Sequence, residues 1–291
     1  MKLCFVILNY CTYKETKKCI ESIKDKLDLK ENEYKIVVVD NNSPDCSYKY
    51  LIDDYKGDDS ITILLNNENG GFSKGNNIGY IYAKKELNAE FIAMINSDTY
   101  LIQDDFFSQI EKEYKKSKFA VLGPKIILED NKINVFKDKL ESSFQIKKYL
   151  LKLSVFWFLS FFNLYKIIDK YNNFKKNKIH KDINVEMIKY NVPLHGCCWI
   201  FSKDYIVKFD GLDEKTFLYN EEDFLFLKLI RYNLKSVYCP NVLIFHDCNR
   251  ATKNSSKTER KKRMFIYKNL IKSNKIFLEE IKMYEKNDKN I

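Results

Sequence analysis

The amino-acid sequence predicts an α/β protein with a mostly parallel sheet flanked by helices. Short apolar runs of strand length recur through the first hundred residues, and several of them end in small polar residues. Apolar residues between the runs have helical spacing, so the strands require right-handed crossovers and a sheet covered on both faces. Only 8 glycines and 4 prolines occur in 291 residues, which argues against a turn-rich all-β architecture.

The first four predicted strands alternate with three predicted helices. The strands are residues 3–8, 34–39, 61–65 and 91–95, and the helices are residues 14–27, 47–55 and 78–87. Hydrophobic residues make up 45% of the chain and aromatic residues 15%, which excludes a disordered protein. No uncharged apolar run reaches the roughly 18 residues of a membrane-spanning helix, and the N-terminal apolar run is too short for a secretory signal. A cytoplasmic location is therefore expected.

Cysteine spacing and net charge argue against zinc and nucleic acid as ligands. The eight cysteines include no C-x-x-C pair, so buried thiols are expected instead of disulfides or structural zinc. The net charge of +10 comes from 50 basic and 40 acidic residues, with most of the excess after residue 250. That distribution does not resemble a nucleic-acid-binding module, and anionic lipid is at least as good a partner for a basic C-terminal segment.

Polar residues follow three of the predicted strands. Asn9 follows the first, Asp40 opens the polar run 40–45, and Asp98 lies in the tetrapeptide 96–99. Ligands of open α/β sheets bind outside the carboxyl ends of the strands, so Asp98 is well placed for a metal or a substrate. The alternative is an Asp that caps the next helix.

A glycine-rich segment, residues 69–77, precedes the third predicted helix. We expect a loop whose backbone N–H groups, together with Lys74, suit a diphosphate. The segment matches neither G-x-G-x-x-G nor the Walker pattern, so it does not identify a phosphate site by itself.

Four segments together resemble a known family. They are V-I-L-N-Y at 6–10, V-V-V-D-N-N-S at 37–43, N-G-G-F-S-K-G-N-N-I-G at 69–79 and I-N-S-D-T at 95–99. In order and spacing they are similar to the signatures of family 2 glycosyltransferases of the Rossmann-like GT-A fold. The likeness extends to bacterial rhamnosyltransferase-like enzymes of surface polysaccharide assembly.

The resemblance implies roles for the polar strand ends. Asp40 matches the residue that binds the nucleotide base, and residues 96–98 match the metal-binding D-x-D motif with Asn in its first position. Binding of Mg²⁺ or Mn²⁺ is therefore expected to depend chiefly on Asp98, with His246 as the residue that can complete the site. The full set expected to bind the nucleotide is Asn9, Asp40, Asn42, Gly71, Lys74, Asn76 and Ser97.

The family likeness resumes at residue 191 with the acceptor half. N-V-P-L-H-G-C-C-W-I-F-S resembles the acceptor-side strand, and E-E-D at 221–223 matches the acidic motif that contains the catalytic base. Glu222 is the expected base, with Asp223 as the alternative. Acids in a first helical turn are also favoured by the helix dipole alone. The expected acceptor-binding residues are His195, Gly196, Trp199 and Glu221.

Two segments have competing interpretations. Residues 150–165 are too short and interrupted to span a bilayer, and could form either an interfacial helix or a helix packed on the protein. Residues 257–284 are predicted to be a basic helix. Short strands are predicted at 235–239 and 242–245, before His246, and a structural role for that histidine is the alternative to a metal or diphosphate role.

The sequence thus predicts one GT-A domain, residues 1–250, and a basic helical tail, 251–291. The domain divides into a nucleotide-sugar half (1–128), a variable helical insertion (129–189) and an acceptor half (190–250). The expected activity is inverting transfer of a sugar from UDP or dTDP to a glycan or lipid-linked glycan of the cell surface. The alternatives are a nucleotidyltransferase and a non-catalytic sugar- or membrane-binding scaffold.

Overall fold

A computed structural model describes residues 1–129, 132–134, 137–176, 185–247 and 258–288. The strands are β1 Leu3–Asn9, β2 Tyr34–Asp40, β3 Ile61–Leu65, β4 Phe91–Asn96, β5 Thr99–Leu101, β6 Val121–Ile127, β7 Lys189–Tyr190, β8 Cys198–Ser202 and β9 Ser236–His246. The helices are α1 Tyr13–Lys26, α2 Ser47–Asp54, α3 Gly71–Lys85, α4 Phe106–Ser117, α5 Ser143–Phe161, α6 Tyr165–Lys176, α7 Lys203–Ile206, α8 Glu221–Arg231 and α9 Glu259–Asp288.

The described strands form one mixed sheet in the order β3-β2-β1-β4-β8-β6-β9-β5, with β7 paired to β9. The first four strands are parallel, as predicted. β8 runs antiparallel to β4 and β6, and β9 runs parallel to β6 and antiparallel to β5 and β7. The predicted α/β fold is therefore confirmed, while the acceptor half adds antiparallel pairs that the apolar runs did not indicate.

Helices cover both faces of the sheet because the strand residues alternate between two apolar clusters. Phe5 and Ile7 of β1 pack with α1 and α4 on one face. Cys4 and Val6 pack with α3, α7 and α8 on the other face. Burial on both faces explains why these strands are continuous apolar runs in the sequence.

Two predicted boundaries are wrong. The glycine-rich segment is mostly helical, because α3 already begins at Gly71 instead of residue 78. The two short strands predicted around Pro240 are one strand, β9, with an irregularity where Pro124 pairs with Cys239 and Lys125 with Leu243. A proline has no N–H to donate, so a bulge lets the strand continue past Pro240.

A third apolar cluster joins the predicted insertion and the predicted tail to the main domain. Ile146 of α5, Phe224 and Leu227 of α8, and Phe277 and Ile281 of α9 pack together. The helix α9 therefore packs against α5 and α8 through its apolar face. Residues 177–184 of the insertion, residues 248–257 and residues 289–291, which include parts of the predicted insertion and tail, lie outside the described residues.

None of the seven cysteines in the described part forms a disulfide, and five of them are buried. Burial raises the pKa of the thiols of Cys4, Cys19 and Cys198 well above the ordinary value, which keeps them protonated. They are packing residues, as the spacing predicted. Cys248 lies outside the described residues.

Candidate active site

The carboxyl ends of β1 and β2 are joined by a buried hydrogen-bond network. Asn9 and Asp40 are register partners with no exposed surface. Asn9 Nδ2 donates to Asp40 Oδ2 at 2.6 Å, and the Ser43 N–H donates to Asp40 Oδ1 at 2.8 Å. The hydroxyls of Thr12 and Thr16 donate to Asn9 Oδ1. These two predicted nucleotide-binding residues therefore fix the strand ends and the turn at Ser43, and neither side chain is exposed to solvent.

Two other predicted nucleotide-binding residues are open to solvent beside this network. Asn42 has a left-handed backbone with φ of 61° and donates from its side chain to the carbonyl of Asn67 at 3.2 Å. The side chain of Lys74 is half exposed, and its ammonium lies 3.5 Å from Glu68. A surface ion pair of this kind contributes little and gives way easily to a phosphate. Lys74 is therefore free to reach an anionic ligand.

Gly71 and Asn76 form the buried start of α3. Gly71 has φ of +80°, and a Cβ there would lie 2.1 Å from the carbonyl oxygen of Phe217. The next N–H, of Phe72, donates to that same oxygen at 2.9 Å. Asn76 is buried and donates to the Phe72 carbonyl. Gly71 and Phe72 therefore join the start of α3 to the loop before α8, and the contact leaves no room for a larger residue at 71. Asn76 stabilises the first turn of α3 from within the helix.

Asp98 pairs with His246 at the opposite side of the sheet edge. Thr99 and His246 are register partners in β5 and β9, which brings His246 Nε2 to 3.2 Å from Asp98 Oδ1. Both residues are buried, at 4% and 9% exposed. Ser97 Oγ lies 3.0 Å from Thr12 Oγ1, which connects this pair to the Asn9 network.

The Asp98–His246 pair supplies a carboxylate oxygen and an imidazole nitrogen. Within the described residues, no group of three or more His, Cys, Asp or Glu side chains is arranged to hold a metal. Divalent cations at phosphoryl sites commonly take one or two protein ligands and complete their shell with phosphate oxygens and water. The donor set therefore fits Mg²⁺ or Mn²⁺ held together with a diphosphate, and does not fit a cation bound by protein alone.

Glu222 is held at the mouth of the acceptor-side strand. The Gly196 N–H donates to Glu222 Oε1 at 2.6 Å, and His195 Nδ1 lies 3.9 Å from the same oxygen. The Cys197 N–H donates to His195 Nδ1, so the neutral ring carries its proton on Nε2. Burial lowers the pKa of His195, which favours that neutral form. The His195 ring also lies 5.9 Å from the His246 ring.

The neighbouring acids have different surroundings. Asp223 is 9% exposed, and both of its oxygens accept from Lys137 Nζ at 3.0 Å. Burial opposes the charge of Lys137, but the Asp223 carboxylate raises its pKa overall. Burial raises the pKa of Glu221 to about 7, and its buried Oε1 has no hydrogen-bond partner. Of the three acids, Glu222 alone is both partly exposed and placed against the acceptor-side strand.

The loop before α8 has a strained backbone that α9 holds in place. Tyr219 and Asn220 both have left-handed φ angles, of 75° and 71°. The side-chain amides of Asn220 and Asn274 donate to each other at 3.2 and 3.1 Å. Ser273 Oγ donates to the carbonyl of Leu218 at 2.6 Å. Strain of this kind costs about 1–3 kcal/mol per residue and persists only where surrounding contacts impose it.

Trp199, which is predicted to bind the acceptor, lies in the core next to this site. Trp199 is fully buried, and its Nε1 donates to the Leu194 carbonyl at 3.3 Å. Its ring packs under Gly196, where a Cβ would lie 3.3 Å from it. Trp199 therefore supports the Gly196 backbone that binds Glu222, and it has no surface for a sugar.

Sequence reasoning missed three residues around the loop before α8. Lys137, Ser273 and Asn274 hold Asp223, Leu218 and Asn220 respectively. Lys137 lies in a lysine-rich segment without periodicity, so no sequence pattern indicated that it pairs with Asp223. Ser273 and Asn274 are consecutive polar residues within the apolar spacing of α9, and that interruption was the available signal.

A comparison with protein-family models matches residues 4–208 to the family described as Glycosyl transferase family 2. The match covers more than half of the chain. The chain belongs to this family. Its family membership, predicted from the four strand-end segments, is confirmed.

The chain is similar to a curated protein, the low-salt glycan biosynthesis hexosyltransferase Agl10 of Haloferax volcanii. The identity is 26% over 140 residues, which cover 40% of this chain and 42% of the relative. The match thus spans less than half of the relative's length.

Solved structures of glycosyltransferases share the fold. Staphylococcus aureus TarS 1–349 in complex with UDP has a TM-score of 0.55 at 14% identity, covering 92% of this chain and 71% of that chain. The mannosyltransferase PcManGT from Pyrobaculum calidifontis, in complex with GDP-Man and Mn²⁺, has a TM-score of 0.54 at 10% identity, covering 93% and 69%. The similarity confirms the predicted GT-A fold for nearly the whole chain.

Proposed function

We propose that the protein is an inverting glycosyltransferase that moves a sugar from a nucleotide-sugar donor to a glycan hydroxyl. The observation that carries the proposal is a continuous line of contacts along the sheet edge. It runs from Asp40 through Asn9, Thr12 and Ser97 to Asp98, and then through His246 and His195 to Glu222. The line connects the residue proposed to bind the nucleotide, Asp40, with the proposed base, Glu222. Direct displacement requires both groups in one site.

In the proposed reaction, the acceptor oxygen attacks the anomeric carbon while the bond from that carbon to the diphosphate breaks. The electron pair of that bond leaves with the nucleoside diphosphate, and the acceptor proton goes to a carboxylate. Glu222 is the proposed base, because it is partly exposed and oriented by the Gly196 N–H. Asp223 is less suited, because Lys137 occupies both of its oxygens.

The donor is proposed to lie over the ends of β1–β4. Lys74 and Asn42 are its exposed polar contacts, and Asp40 contributes through the turn that it fixes. Asp98 and His246 would hold the divalent cation, whose positive charge stabilises a departing diphosphate. The neutral ring of His195, which lies beside His246 and Glu222, would add no second positive charge to these residues.

The test is turnover by the purified protein with UDP-, dTDP- and GDP-sugars, in Mn²⁺ or Mg²⁺ and then in chelator. We expect release of nucleoside diphosphate from at least one donor and its loss in chelator. Release of pyrophosphate from nucleoside triphosphates would instead indicate the nucleotidyltransferase alternative. If the protein binds sugars but Glu222→Gln changes nothing in any donor assay, the non-catalytic scaffold is the better description.

We also propose that the enzyme works at an anionic membrane surface, the inner face of the cytoplasmic membrane, on a lipid-linked glycan of surface polysaccharide assembly. None of the helices in the described ranges is long and apolar enough to span a bilayer. Instead, one exposed stripe follows α5 at helical spacing, and exposed apolar residues continue on α6. The stripe is Phe144, Leu151, Val155, Phe158 and Phe162, and the residues that extend it are Leu164, Ile167 and Tyr171.

Lysines flank this apolar stripe, which suits a headgroup layer that is negatively charged. Lys147 and Lys148 lie beside it on α5, and Arg260 stacks on Phe161 from α9. Apolar burial and cationic attraction act together in such interfacial helices. Leu151 is 71% exposed on the stripe, whereas Val207 is 72% exposed elsewhere on the protein.

Leu151 and Val207 give a matched test of the membrane proposal. Wild type and Val207→Ser should co-sediment with phosphatidylglycerol vesicles at low salt, and Leu151→Ser combined with Phe158→Ser should stay in the supernatant. If wild type fails to co-sediment, the stripe is a protein-packing surface and the membrane proposal is withdrawn.

A further inference from the structure

A cavity of about 350 Å³ opens beside Glu222 and lies outside the nucleotide edge of the sheet. Its walls come from three separate parts of the chain: the start of α5, the strained loop before α8, and the middle of α9. The volume lies near the lower end of the ~300–1,000 Å³ range of small-molecule sites, which suits one small ring better than a long chain. The tyrosines Tyr149 and Tyr219 line it together with apolar residues of α5 and α9.

The charged groups of the cavity are mainly acidic. Glu141, Glu222 and Asp223 face one cation, Lys137. Lys137 forms its hydrogen bonds with Asp223, and Glu141 and Glu222 give the cavity an excess of negative charge over this single cation. A carboxylate on a ligand would be repelled by both. Hydroxyl groups, in contrast, can donate to these carboxylates, and a sugar ring can pack on a tyrosine face.

We infer that this cavity is the acceptor subsite and that it selects an uncharged sugar residue. The inference deepens the proposed function and rests on it, because it places the accepting hydroxyl within reach of Glu222. Tyr149 is the residue that should determine affinity, since it belongs to α5 and lies in the cavity without belonging to the catalytic loop. Lys137 is a positioning residue. Because it pairs with Asp223, Asp223 does not compete with Glu222 for the hydroxyl proton.

The position of the cavity on α5 agrees with a lipid-linked acceptor. Tyr149 lies on α5 between Phe144 and Leu151, which both belong to the exposed apolar stripe, and Leu151 is only about 3 Å farther along the helix axis. The cavity is therefore level with the exposed apolar stripe along the helix. An acceptor anchored in the membrane beneath the stripe would reach the cavity with the sugar nearest its anchor.

The cavity can be tested by direct sugar binding, without turnover. Saturation-transfer NMR with methyl glycosides of glucose, galactose, mannose, rhamnose and N-acetylglucosamine, with and without UDP and Mn²⁺, should detect at least one neutral glycoside. Methyl glucuronide should bind about tenfold more weakly than methyl glucoside at low ionic strength, and salt should reduce the difference. Equal binding of the charged and uncharged pair would overturn the selection, and no binding by any glycoside would overturn the site.

Three variants separate this cavity from other sugar contacts. Tyr149→Ala should weaken the neutral glycoside about tenfold, and Leu270→Trp, which fills the cavity from α9, should do the same. Tyr232→Ala is the matched control, because Tyr232 is exposed at the end of α8 and away from the cavity. Retained affinity in both cavity variants would contradict the inference. Thermal melting confirms that each variant is folded.

UDP binding distinguishes failure of the cavity from failure of the proposed function. If Tyr149→Ala keeps its affinity for UDP and loses the glycoside, the subsite is supported. If wild type binds glycosides in the cavity but neither binds nor cleaves any nucleotide sugar, the glycosyltransferase proposal fails while the sugar site stands.

Discussion

His246 Nε2 lies 3.2 Å from Asp98 Oδ1, and the pairing of β5 with β9 sets this distance. Asp98 leaves the end of β4, and His246 is the last residue of β9. Because the sheet fixes both backbones, the pair is preorganised before any cation arrives. Metal affinity should therefore depend on these two side chains and on the diphosphate, with little cost for ordering the protein.

The first prediction concerns that pair. Asp98→Ala and His246→Gln should each weaken Mn²⁺ binding, measured by electron paramagnetic resonance with UDP present, by at least about tenfold, since even outer-shell partners of a metal are worth that much. His195→Gln is the control. Its Nδ1 is already engaged by the Cys197 N–H, so Mn²⁺ affinity should stay close to wild type. Loss of Mn²⁺ binding in all three variants would make His195 a ligand.

The second prediction assigns the base. Glu222→Gln keeps the size of the side chain but cannot accept the acceptor proton, so transfer should fall by about 10²–10⁴-fold. Donor affinity, measured by calorimetry, should not change. Glu221→Gln should lose little activity. If Asp223→Asn abolishes transfer and Glu222→Gln keeps it, Asp223 is the base.

The third prediction concerns Asp40, whose carboxylate is buried and accepts from Asn9 and Ser43. Asp40→Ala should weaken nucleotide binding and also lower the free energy of unfolding by about 2–3 kcal/mol, because it leaves buried donors unpaired. Asn42→Ala, at an exposed position, should lower stability by less than about 0.5 kcal/mol. Urea unfolding of both variants measures the difference.

The fourth prediction uses two glycines with nearly the same backbone. Gly57 and Gly71 have φ of +84° and +80°, but a Cβ at 57 meets nothing within 4 Å, whereas one at 71 lies 2.1 Å from Phe217 O. Gly57→Ala should cost about 1–2 kcal/mol for the left-handed backbone alone. Gly71→Ala should cost at least about 2 kcal/mol more, because the clash adds to it. Equal losses of unfolding free energy would mean that the contact with Phe217 adjusts freely.

The fifth prediction is a pH dependence of stability. Burial raises the pKa of Glu221 to about 7 in the folded protein, against an ordinary value of 4.5. The folded state therefore keeps its proton longer than the unfolded state, so this group lowers stability as pH rises from 4.5 to 7. Glu221→Gln should gain up to about 3 kcal/mol relative to wild type over that interval, at about 1.4 kcal/mol per pKa unit. The control Glu86→Gln, at an exposed residue, should show no such trend in urea unfolding.

The strands β1, β2 and β4 could be predicted from sequence because they are buried on both faces. Continuous apolar runs such as the one within Leu3–Asn9, which end in polar residues, are typical of such strands. The start of α3 could not be predicted in the same way. Glycine and asparagine favour a loop by propensity, but α3 begins at Gly71, where the Phe72 N–H donates to the Phe217 carbonyl and a Cβ would clash with that oxygen.

The residues of the candidate site also differ in how well local sequence patterns predict their positions. Asp98, His246 and Glu222 follow strand ends or open a helix, so local patterns placed them correctly relative to the fold. Trp199 was misread because an aromatic residue in an apolar run has the same local pattern whether it faces a ligand or the core. Lys137 was missed because its partner, Asp223, is distant in sequence, and an ion pair between distant residues leaves no periodic signal.

The amide pair between Asn220 and Asn274 bears on how such an enzyme can change its substrate during evolution. The match to the family model ends at residue 208, before the loop that precedes α8 and before α9. The strands β1–β4 can therefore stay constant while α9 is exchanged, provided that its replacement restores one reciprocal amide contact with that loop. A different helix at this position would change the walls of the cavity beside Glu222 without any change at the sheet edge.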